Sequence, residues 1–238
     1  MTETHIAHAD RSEGMPHDPD YEVHSRHSRI KCPHCGCTHT AGYIYGYPAL
    51  TDSMRDELEA GTLVLGGCEV DASLRTPLRR CNSCGKDFAT PPLLVDKENG
   101  TAEDYRDIVT AIRFTVGGFP GTWKTITIRK TAKGATVRAE IPYSIEHNPS
   151  ERQITPARWR SILDRLYTRM YLHEWKKSYI DPGILDGTQW ELEIRLTGNR
   201  KRRYHGSNAY PAYWPELIRL VRGLVKRRCI SDFDVDKV

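Results

Sequence analysis

Two Cys-x-x-Cys-Gly units, Cys32-Pro33-His34-Cys35-Gly36 and Cys81-Asn82-Ser83-Cys84-Gly85, constrain this chain more than any other feature it carries. Two residues between the cysteines of a unit let both sulfurs reach one ion at about 2.3 Å, and two such units complete a tetrahedral shell. The glycine after each unit suits a tight turn at positive φ, in which backbone amides face the thiolates. Four thiolates leave no position for water. Cys32, Cys35, Cys81 and Cys84 are therefore expected to hold a structural Zn2+ and not a catalytic one. Compact double sites have about 15–20 residues between their pairs. The longer spacer here, residues 36–80, has to fold back, which is tolerable because loop closure grows only with the logarithm of length. It carries elements of its own: residues 53–60 read as a helix and residues 62–65 as a strand.

A redox role would use one such pair in a βαβ setting, not two matched ones. Of the remaining cysteines, Cys37 lies with His39 close enough to compete for the ion. Cys68 follows an apolar strand and is expected to be a small buried side chain. Cys229 lies past the last helix with no visible partner. Seven cysteines are an odd number, and the first twenty residues lack the basic and apolar regions of a secretory leader. A disulfide framework is not expected, and cytoplasmic residence is. No apolar run approaches the roughly 18 residues of a membrane span.

Residues 1–29 are rich in His, Asp, Glu and Ser and have no apolar periodicity, so they read as a disordered tail. Five histidines fall there (His5, His8, His17, His24, His27), at spacings too irregular to argue for a metal tract. Residues 30–92 form the expected ribbon, and residues 93–104, introduced by Pro91-Pro92, read as a linker. A two-layer domain is expected over residues 105–228, and a tail over 229–238.

In that domain Ile112, Phe114 and Val116 alternate with Arg113 and Thr115, as a half-buried strand does. A second strand over 123–130 and a third from Ala135 to Ile141 follow. Thr155 is a good N-cap with Pro156 behind it, and Trp159, Ile162, Leu163, Leu166 and Met170 then make one helical stripe. Trp190, Leu192, Ile194 and Leu196 alternate with charged residues, Gly198-Asn199 turns the chain, and residues 200–206 return. A last helix is expected from about Pro211, after a cap by Ser207 or Asn208. The fold class is α+β: an N-terminal zinc ribbon plus a two-layer α/β sandwich in the order β-β-β-α-β-β-α. Loss of the ion should unfold the ribbon and spare residues 103–228.

The net charge of +4 is unevenly spread. The first hundred residues hold 10 basic and 15 acidic side chains, and the rest hold 25 and 16. A basic half of this kind suits nucleic acid or an acidic protein partner. Its densest run is Arg200, Lys201, Arg202 and Arg203, followed by Tyr204 and His205, which can track phosphates and stack a base. Glu191 and Glu193, on the facing strand, neutralise part of it. Arg158, Arg160, Arg165 and Arg169 add to the basic surface from the wet side of the first helix. No P-loop, GxGxxG, HExxH or acidic metal triad is present. The enzyme alternative, acting on nucleic acid or a small anion, would use His205 with Asp181 or Asp186. Those aspartates also explain themselves as turn formers, and His173 and Glu174 as a helix end. A non-enzymatic interaction protein is the reading the residues favour.

The segments CPHCG, IYGYP, an acidic helix, LVLGGC and RRCNSCGKDF together resemble an expanded zinc ribbon found in uncharacterised bacterial proteins, over about residues 30–90. The resemblance implies the same four ligands across a long insertion, and no activity. DGTQWELEI with GSNAYPAYW is similar to a recurrent domain of uncharacterised bacterial proteins, which brings no catalytic residue with it.

Overall fold

A computed structural model describes residues 30–68, 75–96, 98–118, 121–141, 149–184 and 186–225. The expected tails, with Cys229 and the five N-terminal histidines, lie outside them. The chain is mixed α/β, with more strand than helix.

The first half builds strand β1 (Thr40–Ile44), helix α1 (Asp52–Glu59) and strands β2 (Leu63–Leu65), β3 (Arg79–Cys81) and β4 (Asp87–Phe88). The helix starts where Thr51 Oγ1 accepts from the N–H of Met54, an N-cap that satisfies one orphan amide. The strands form one sheet in the order β2-β1-β3-β4. Pairing of β1 with β3 sets Thr40 opposite Cys81, which brings the two cysteine units together across the long spacer.

Strands β5 (Leu93–Val95) and β6 (Ala102–Asp104) follow. Residues 93–104 are therefore a paired hairpin and not a linker. Its turn is made by local side-chain caps: Asp96 accepts from Glu98 N–H, and Asn99 accepts from Thr101 N–H. Asx turns of this kind give the backbone its partners locally.

A single helical turn, α2 (Tyr105–Ile108), leads into the large sheet: β7 (Val109–Gly118), β8 (Lys124–Thr131), β9 (Gly134–Glu140) and β10 (Ser150–Ile154). Helix α3 (Pro156–Asp164) continues through a π-turn at Arg165–Arg169. Its start is as expected, with Thr155 Oγ1 accepting from Arg158 N–H at 3.2 Å and Pro156 in the first turn. Then come β11 (Ser178–Ile180), β12 (Thr188–Leu196), β13 (Lys201–Ser207) and helix α4 (Trp214–Arg222). The sheet order is β10-β9-β8-β7-β12-β13-β11. Relative to the expected order, β10 and β11 are additional. Each is a short edge strand whose sequence lacks clear alternation, so the pairing partner and not its own pattern makes it a strand.

Helix α4 starts at Trp214, with Pro215 rather than Pro211 in its first turn. Asn208 caps nothing. It takes φ +54°, its Oδ1 accepts from Thr188 N–H at 2.8 Å, and its Nδ2 donates to the carbonyl of Asp186 at 3.2 Å. Trp190 Nε1 donates to the Ala209 carbonyl at 3.0 Å. A Cβ on Gly206 would lie 2.2 Å from that same nitrogen. The conspicuous DGTQW and GSNAYP segments thus lock each other in place.

Ile112, Phe114, Ile126, Ile128 and Leu192 from the sheet meet Ile162, Leu166, Leu217 and Val221 from the helical side around one apolar void of about 20 Å³. The helical segments therefore lie over this face. Each such side chain, fully buried, contributes about 1.5–3 kcal/mol. The opposite face of the sheet carries the polar half of the alternation.

Candidate metal centre

The two cysteine units have the same local geometry. In the first, Gly36 N–H donates to the Cys32 carbonyl and Cys32 N–H to the Cys37 carbonyl, both at 2.9 Å. In the second, Gly85 N–H donates to the Cys81 carbonyl at 2.8 Å and Cys81 N–H to the Lys86 carbonyl at 2.9 Å. Gly36 and Gly85 take φ +79° and +69°, the left-handed conformation that favours glycine. The leading cysteine of each unit, Cys32 or Cys81, is buried, and the trailing one, Cys35 or Cys84, is exposed.

All four sulfurs lie within 4.8 Å of one another. Cys32 Sγ is 3.8 Å from Cys84 Sγ, and Cys35 Sγ is 3.5 Å from Cys81 Sγ. Both separations are far beyond a disulfide bond of about 2.05 Å. They fit the edges of a tetrahedron whose centre is about 2.3 Å from each corner, which are about 3.8 Å long. This donor set can hold one metal ion. Burial pushes the Cys32 thiol up to about 12, against the pull of the His34 and Cys35 amides. The Lys86 amide lowers the Cys84 thiol. A bound cation would supply the positive charge that a buried thiolate lacks, with release of protons.

The other described cysteines, Cys37 and Cys68, stand apart from this cluster. Cys37 bonds Ser83 Oγ at 2.8 Å and accepts from the His39 amide. Cys68 is exposed and not buried as expected, because it lies beyond the end of β2 (Leu63–Leu65), itself the edge strand of its sheet.

The centre is fastened to the second half of the chain. Thr90 donates to Glu174 Oε1 from both its N–H (2.8 Å) and its hydroxyl (2.9 Å). His34, inside the first cysteine unit, places Nε2 3.9 Å from the other oxygen of Glu174. Phe88 meets the edge of Tyr171 with centroids 5.7 Å apart. Ala89 and Tyr171 both adopt positive φ here, +61° and +50°, and such backbone persists only where its surroundings over-determine it. His173 and Glu174, read from sequence as a helix end, are joint residues.

The basic run does not present one surface. Lys201, Arg203 and His205 point to the open face of the sheet, while Arg202 and Tyr204 point to the other. Arg200 is paired with Glu103 at 2.6 Å. Arg202 lies over the Tyr105 ring at 4.9 Å. Tyr204 is 2% exposed and packs edge-on to Trp175, so it cannot stack on a base. Arg203 binds Glu193 at 2.8 Å, and Arg195 binds the other oxygen at 2.9 Å. Those bonds hold the Glu193 carboxyl below the usual range.

His205 does not pair with either aspartate. The Asp181 carboxylate accepts from Gly183 N–H within its own turn, and Asp186 contributes its carbonyl to Asn208. The carboxylate opposite His205 in register is Glu191. Both line a cleft of about 510 Å³ on the open face, with Arg113, Trp123, Ile180 and Gln189. Sequence reasoning missed this cleft; the alternation of β12 and β13 was its available signal, since it puts Glu191 and His205 on one face. No protein-family model and no curated protein matches the chain.

Proposed function

We propose that the chain is a zinc-stapled, non-enzymatic interaction protein whose basic C-terminal half contacts nucleic acid or an acidic protein. The observation that carries the first part is the four-sulfur cluster, with edges of 3.5 and 3.8 Å. An all-thiolate tetrahedral set suits Zn2+ and leaves no open position for chemistry. The repeated knuckle geometry supports reading residues 30–92 as an expanded ribbon of the bacterial type. The helical cover on one sheet face supports a two-layer arrangement behind it. Among the described residues no helix is long and apolar enough to cross a membrane.

Elemental analysis of protein purified without added metal tests this directly. One zinc per chain, lost on replacing Cys81 or Cys84, is expected; iron in its place or a metal-free protein with an intact fold overturns the reading. For the partner, binding to a polyanion should weaken steeply as salt rises.

A further inference from the structure

We infer that the open face of the seven-stranded sheet binds single-stranded nucleic acid, with one base seated in the cleft between Trp123 and Ile180. This rests on the reading above that the basic half is an interaction surface, and it names the partner and the place.

The cleft combines two kinds of wall and a polar floor. Trp123 is 39% exposed and Ile180 61% exposed, so a flat apolar ring and an aliphatic side chain both face solvent. The floor is Gln189, Glu191, His205 and Ser207, a set of hydrogen-bond donors and acceptors suited to the edge of a base. At about 510 Å³ the space is in the range of about 300–1,000 Å³ typical of small-ligand sites. The indole is seated and not dangling. A Cβ on Gly117 would come within 2.7 Å of Trp123 Cα and 2.9 Å of Cδ2; the glycine is what lets Trp123 lie against the strand.

Basic side chains lead away from the cleft on the same face. Register sets Arg203, Glu193 and Arg113 in one row, and Lys201, Arg195, Ala111 and Arg129 in the next. Rows two residues apart are separated by about 7 Å. The side chains of Arg113, Arg129 and Lys201 make no hydrogen bond or ion pair among the described residues. Glu193 is 6% exposed beneath the guanidiniums of Arg195 and Arg203, so it is their N–H groups that meet an incoming phosphate.

The same features select against other polyanions. An open sheet face with a cleft of this kind reaches bases only when they are unstacked, which favours a single strand over a duplex. Glu191, Glu140 and Glu151 on this face would repel any polyanion, and only a nucleic acid also brings a base edge that can donate to Glu191.

The test is fluorescence anisotropy of the full chain with a labelled single-stranded oligonucleotide of about 16 nucleotides, its duplex form, and labelled polyglutamate. The single strand should bind tightest. Trp123→Ala should weaken it about 5- to 100-fold with the salt slope kept, and Trp123→Phe should restore most of that. Arg113→Ala should lower the slope by about 0.7. All variants should keep the parent's metal content and unfolding midpoint. Unchanged affinity of Trp123→Ala, or equal binding of the duplex, overturns the inference. Binding of polyglutamate alone overturns it and leaves the wider interaction reading standing; binding of none of the probes at low salt sinks both.

Discussion

The hydroxyl of Tyr213 donates to the carbonyl of Lys31 at 2.6 Å and accepts from the N–H of the same residue at 3.1 Å, across 182 positions of sequence. Lys31 directly precedes the first cysteine of the four-sulfur cluster, and its Nζ reaches Glu216 on α4 at 2.8 Å. The segment that carries Cys32 is therefore hung from α4, the last helix among the described residues.

Tyr213→Phe removes both bonds while keeping the ring. It should lower stability by about 1–2 kcal/mol, because a half-buried carbonyl and amide lose their partner. A fall in the urea midpoint at unchanged slope is the expected record.

Metal removal should be felt by the whole molecule. Cys32, Cys81 and Phe88 belong to the same buried cluster as Tyr171, Tyr213 and Leu172. The expectation that residues 103–228 are spared does not follow from such packing. With chelator, thermal unfolding followed by far-ultraviolet circular dichroism and by tryptophan fluorescence should shift downward together as one transition. Two separated transitions would show the halves to be independent.

Asn208→Ala should cost about 2–3 kcal/mol, from loss of the side-chain bonds to Thr188 and Asp186 and from a Cβ-bearing residue held at positive φ without local support. Asn208→Gly loses those side-chain bonds without the strain and should cost less. Comparing the two urea midpoints separates the parts.

Alkaline pH should unfold the chain through its tyrosines. Burial pushes Tyr204 up to about 12 and raises Tyr213 and Tyr167 as well. Folded pKa values above the unfolded value of about 10 mean that the native state binds more protons in that interval. Their contribution is complete below about pH 10 and is lost as pH rises through the folded pKa values. Urea midpoints from pH 8 upward, beside tyrosinate absorbance, should show stability steady to about pH 10 and then falling.

Much of the frame was legible locally. The N-cap at Thr155, the helical stripe from Trp159 to Met170 and the alternation from Trp190 to Leu196 are patterns whose period equals that of the element, so a few residues suffice. The hairpin over residues 93–104 was hidden because its strands are three residues long, too short to show a period. Asn208 was misjudged for a different reason. A residue that suits a helix cap also suits a left-handed turn, and only the approach of the loop before β12 chooses between them.

By itself the sequence determined which four thiols could share one ion, since two matched CxxCG units carry their own turn geometry and need only to meet. It also determined which faces of the long strands are apolar, because side chains alternate with the backbone pleat. Tertiary structure alone decided that Glu174 joins Thr90, that Tyr204 is core, and that His205 faces Glu191 and not an aspartate. Those contacts join residues far apart in the chain, and they depend on strand register, where a shift of one residue would send every side chain to the other face.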